Sequence, residues 1–147
     1  MRYSQQIKAK FKMATSTAEQ RSSAISTLII TVIIITPLCG FLFQCGCDWP
    51  WSGLDRNCNF YQAHAQYHCP WCASMISGIL STGLAIIAGI FAATTPQHSL
   101  SYAHAVGEVS IRIIFGITVF ILVAILCAGV AALLQAYPLG IGELVVA

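Results

Sequence analysis

Charge is what this chain has least of. Only 8% of its 147 residues are charged, with two aspartates and three glutamates in all, whereas about a quarter of a soluble domain is charged. Five carboxylates scattered along the chain cannot supply paired-carboxylate catalysis. Nor do the basic residues make a nucleic-acid face: the net charge is only +2, and most of them sit in one tail. There is no glycine-rich phosphate cradle, no serine nucleophile elbow and no internal repeat.

What is present in excess is apolar surface. The chain is 57% hydrophobic with a mean hydropathy of +0.77, the composition of an integral membrane protein. Three runs are long enough to cross a hydrocarbon core of about 30 Å, which takes roughly 20 helical residues. The predicted fold is an all-α integral membrane protein with three transmembrane helices and a Cys/His-rich external loop. Its segments are a basic tail over 1–23, membrane helices over 24–43, 74–93 and 111–135, the Cys/His/Trp loop over 44–73, a second loop over 94–110 and a tail over 136–147.

Arg2, Lys8, Lys10, Lys12 and Arg21 all precede the first run, so the positive-inside bias places that end in the cytoplasm and the loop outside, in a periplasm or extracellular space. A signal peptide is the competing reading of a basic stretch before an apolar one. However, the run is long, no A-x-A site follows, and Thr36, Pro37 and Leu38 ahead of Cys39 do not make a lipobox. The segment therefore reads as a retained anchor. Residues 2–13, with Tyr3, Ile7 and Phe11 at helical spacing, fit either an amphipathic helix on anionic lipid or a disordered basic tail. Ser16 and Glu19 form a capping-box pattern.

Thr31 to Ile35 is almost wholly β-branched, yet backbone groups in lipid must bond internally, so helix is expected there, kinked near Pro37. The second run carries Ser74, Gly78 and Thr82 on one line and Ser81, Ala85 and Gly89 on another, the small-residue spacing that lets helices approach closely in lipid. Gly116, Ala124, Ala128 and Ala132 make a looser line in the third. His104, Glu108 and Arg112 follow at steps of four and read first as a solvated helix start. Cys127 reads as a small apolar core residue.

The chemistry-bearing groups are concentrated between the first two runs. Residues 45–72 read CGCDWPWSGLDRNCNFYQAHAQYHCPWC, holding five of the seven cysteines, two histidines and all three tryptophans. About thirty residues cannot bury enough apolar surface to fold alone and need disulfides, metals or a partner surface. Disulfides are the plain expectation outside the cytoplasm; five thiols are an odd number unless Cys39 joins them. A ring closed between Cys45 and Cys47 would be strained, whereas thiolates at C-x-C and C-x-x-C spacing can share one soft metal, copper or zinc.

The candidate metal ligands are Cys45, Cys47, Cys58, His64, His68, Cys69 and Cys72. His64 and His68 stand four apart, so on a helix both rings face one way. Pro70 reads as the first residue of the second membrane helix, with Cys69 as its N-cap and a lowered thiol pKa from the helix dipole. Trp49, Trp51 and Trp71, with Phe60, Tyr61 and Tyr67, suit a loop lying at the headgroup level or docked on another subunit. Asp55 and Arg56 fit a turn opened by Ser52 and Gly53.

These features favour a small membrane-anchored accessory or metal-handling subunit, in contact with lipid and other membrane subunits but not with nucleic acid. The alternatives are a membrane thiol-disulfide oxidoreductase, in which Cys69 attacks, Cys72 resolves and Cys45 and Cys47 shuttle, and a structural subunit with a disulfide-stapled loop.

Overall fold

A computed structural model describes residues 2–47, 58–95 and 105–145, with the side chains of 2–17, 105, 106 and 108 outside the description. The described chain is all-helical: α1 (Arg2–Phe43), α2 (Pro70–Ala73), α3 (Met75–Thr94), α4 (Ala105–Leu134) and α5 (Ile141–Val145). Three stretches, Ala18–Phe43, Met75–Thr94 and Val109–Leu134, are long and apolar enough to cross a membrane. Their outer faces carry large apolar side chains such as Ile29, Phe41, Ile76, Leu80, Phe91, Leu122 and Leu126, as a lipid-facing surface requires.

α1 is continuous through Ser16, so the capping-box pattern does not mark a helix start. Gln5, Gln6, Lys8, Ala9, Lys10, Met13 and Ala14 are good helix formers and carry the helix through that point. The β-branched run and Pro37 are likewise inside α1. The buried hydroxyls of Thr27 and Thr31 and of Ser23 recur every four residues along one face of α1. Thr31 Oγ1 donates back to the Thr27 carbonyl at 2.9 Å, which accommodates a polar group inside an apolar bundle.

α3 and α4 form the most extensive helix pair, and α1 packs across both. Small residues are buried on both helices: Ala85, Gly89, Ala92 and Ala93 on α3, and Ala124, Ala128 and Ala132 on α4. A Cβ at Gly89 would lie 2.9 Å from the Gly116 carbonyl oxygen, and one at Gly116 would meet Ala93, Gly89 and, from α1, Thr27. All three membrane helices thus meet at this pair of glycines.

At the opposite end from the cysteine loop, Arg112 is buried, not solvated. Its guanidinium donates to the Thr95 carbonyl at 3.5 Å, and Gln20 Nε2 donates to the Thr94 carbonyl at 3.3 Å. The cause is the C-terminus of α3, whose last carbonyls have no intrahelical partner and attract donors and positive charge. His104 and the side chain of Glu108 lie outside the described residues.

Gly89→Leu should overpack the seam and cost about 1–3 kcal/mol, lowering the unfolding midpoint in detergent. A midpoint equal to the parent's would show that α3 and α4 do not meet at this point.

Candidate metal centre

The cysteine-rich end rests on Asn59. Its backbone N–H donates to the Cys45 carbonyl at 2.8 Å, its Oδ1 accepts from the Cys69 N–H at 3.1 Å, and its Nδ2 donates to the Tyr137 hydroxyl at 3.2 Å. The Asn59 carbonyl lies 3.1 Å from His68 Nδ1. One residue therefore ties together the segment after α1, the segment before α2 and the end of α4. Tyr137 completes the tie by donating to the Phe43 carbonyl at 2.9 Å, and burial pushes its phenol up to about 12.

Beneath this polar clasp lies an aromatic floor. Phe43 is fully buried, with Trp71 and Tyr137 meeting it edge to face at centroid distances of 5.2 and 5.8 Å. Trp71 is a core residue, and Gln135 Nε2 holds its turn in place by donating to the Pro70 carbonyl at 3.1 Å. Trp49, Trp51, Asp55 and Arg56 lie outside the described residues. Phe60, Tyr61 and Tyr67 are exposed.

Two glycines bring the backbones close enough for the sulfurs to converge. A Cβ on Gly40 would strike the Cys47 carbonyl, and one on Gly78 would strike the carbonyl of Trp71. Between Cys45 and Cys47, Gly46 takes a positive φ of 74°, and Gln44 before them takes 49°. The chain turns at each, so the two thiols of the C-x-C motif head in different directions.

Six sulfurs result, in two adjoining groups. Cys39, Cys45 and Cys69 form one, with all three Sγ atoms within 4.8 Å of one another; Cys47, Cys58 and Cys72 form the other by the same measure. In the first, Cys39 Sγ lies 3.9 Å from Cys45 Sγ and 3.5 Å from Cys69 Sγ. In the second, Cys47 and Cys58 are joined as a disulfide. Cys72 belongs to the second group, and its thiol also interacts electrostatically with those of Cys39 and Cys69. All but the half-buried Cys72 are buried. These are geometries that can hold a metal ion.

Neither sequence motif forms a site by itself. The C-x-C and C-x-x-C pairs are both split, one cysteine to each group, and each group takes its third sulfur from elsewhere: Cys39 from α1 and Cys58 from the loop. His64 and His68 are exposed and belong to neither group. Cys127 is half-buried in α4, packed against the core.

Cys69 does not cap a membrane helix. The C-x-x-C segment forms the separate turn α2, and the side chain of Ser74 accepts from the Ser77 N–H to cap α3. Nor is the Cys69 thiol lowered. The hydrogen bond with Cys39 favours its thiolate, but those with Cys45 and Cys72, together with burial, outweigh it and push the thiol up. Cys45 and Cys72 are the lowered pair, to about 3 and about 4, because hydrogen bonds from Cys39 and then Cys69 stabilise their thiolates.

An apolar cleft of about 390 Å³ between α1 and α3 reaches this cluster, with Thr36, Cys39, Trp71, Cys72 and Ile79 in its wall. Comparison with known protein families, curated proteins and solved structures finds no match.

Asn59→Ala should leave the Cys69 N–H without its side-chain partner, a loss of about 1–3 kcal/mol, while Tyr137 keeps its bond to the Phe43 carbonyl. Alkylation of Cys45 and Cys69 should then speed up about tenfold, on the order of 1.4 kcal/mol of easier opening, while Cys127 reacts as before. Unchanged rates at Cys45 and Cys69 would show that Asn59 does not hold the cluster shut.

Proposed function

We propose that this protein is a membrane-anchored metal-handling subunit that binds one soft metal ion, copper or zinc, through Cys39, Cys45, Cys69 and Cys72. The observation that carries this reading is the sulfur spacing. A tetrahedral zinc with bonds of about 2.3 Å has sulfurs about 3.8 Å apart, and the 3.5 and 3.9 Å separations around Cys39 bracket that edge. Soft thiolates select copper(I) and zinc over hard cations. The Cys47–Cys58 bond serves as the staple of the loop, leaving His64 and His68 outside the ligand set.

The same bond supports the orientation proposed from the basic tail, since disulfides persist on the non-cytoplasmic side. With three membrane helices and a site at one end, the chain works as an accessory within a larger membrane assembly. The outward apolar faces of α3 and α4 are the surfaces open to lipid or to other subunits.

A second reading, thiol-disulfide exchange, is favoured by one observation: Cys72 Sγ lies within 4.8 Å of both sulfurs of the Cys47–Cys58 disulfide. In that reading Cys72, not the fully buried Cys69, is the attacking thiolate. Its attack on one disulfide sulfur forms a new S–S bond as the old one breaks, and the other sulfur leaves as a thiolate.

One preparation separates the two. Protein purified in mild detergent without chelator should carry one copper or zinc per chain, lost in Cys39→Ser and retained in Cys127→Ser. Absence of stoichiometric metal, with alkylation mapping that finds Cys72 divided between free and bonded forms, would eliminate the metal reading in favour of exchange.

A further inference from the structure

The Cys47–Cys58 bond occupies two-thirds of a second ligand set. We propose that Cys47, Cys58 and Cys72 form a second soft-metal site, gated by that disulfide and joined to the first through Cys72, so that reduction raises the capacity from one ion to two. The inference rests on the metal-binding reading and adds to it a number of ions, a metal and a means of control.

As in the first group, the three sulfurs of the second lie within 4.8 Å of one another; two of them are joined as the disulfide, and Cys47 and Cys58 are buried. While the disulfide is intact, Cys47 and Cys58 offer no thiolate, and Cys72 is free to turn to Cys39 and Cys69 as a fourth ligand. A dithiol or phosphine reductant delivers two electrons to the S–S bond, and two protons are taken up to give two thiols. Those protons are released again when the thiolates bind metal.

The choice of metal follows from the ligand count. Six sulfurs shared between two ions leave three for each. A structural zinc takes four ligands, so three sulfurs leave each position one ligand short of a closed zinc site. Copper(I), a soft ion that accepts three thiolates, fits both positions. The reduced protein is therefore a two-copper thiolate centre, and the oxidised one a single-ion site.

The test uses the full chain in detergent, in a Cys127→Ser background that removes the seventh sulfur. Copper(I) is titrated anaerobically against a chromophoric chelator, before and after treatment with a phosphine, and alkylation with mass mapping verifies that Cys47 and Cys58 are reduced. The expected capacities are one ion before reduction and two after. In Cys47→Ala/Cys58→Ala the expected capacity is one under both conditions, which also reports that the first site has folded. A reduced parent that still takes one ion, or a double variant that takes two, overturns the proposal. An oxidised parent that takes none overturns the underlying metal-binding reading instead.

Discussion

Six sulfurs from separate parts of the chain must be held side by side, and the clasp that does so is the amide of Asn59. Cys39 comes from the end of α1, Cys45 and Cys47 from the turn after it, Cys58 from the loop, and Cys69 and Cys72 from the entry to α3. Asn59 bonds the Cys45 carbonyl, the Cys69 N–H and the Tyr137 hydroxyl, and Tyr137 bonds the last residue of α1. Cys69 is fully buried, so leaving its N–H unpaired would cost about 1–3 kcal/mol. The membrane helices set the distance between the segments, and Asn59 sets their register.

Holding sulfurs together creates an electrostatic problem that a cation solves. Thiolates crowded into a buried site disfavour one another's charge, and desolvation adds to the penalty. Within the cluster the thiols of Cys45 and Cys72 are lowered by hydrogen bonds from their neighbours, and that of Cys69 is raised. A soft metal ion replaces those protons, neutralises several thiolates at once and couples its binding energy to the fold. The Cys47–Cys58 disulfide removes two more ionisable sulfurs and so lightens the same load.

Much of this arrangement was legible in the residues. Hydropathy pointed to three spans because lipid demands long apolar helices, and of the small-residue lines, Gly89 and Gly116 meet where α3 packs on α4, whereas Gly78 packs against the Trp71 backbone. The concentration of cysteines after the first span pointed to the right region. Pairing within it was not readable, because C-x-C and C-x-x-C spacing says nothing of the turns at Gln44 and Gly46 that send neighbouring thiols into different groups. Cys39 looked like part of a membrane helix, and only its position one turn from the helix end brings it to Cys45 and Cys69. Asn59 carried no motif at all; a lone polar residue beside Cys58 at a predicted staple was its only signal. Arg112 read as solvated because its acceptor, the Thr95 carbonyl just past α3, comes beside it only through the packing of α3 on α4 and not through any local pattern.

The most direct measurement is X-ray absorption at the copper and zinc edges of the purified, unreduced protein. The account predicts a first shell of sulfur alone, at about 2.3 Å. A shell of nitrogen and oxygen, or a protein without either metal, would contradict it.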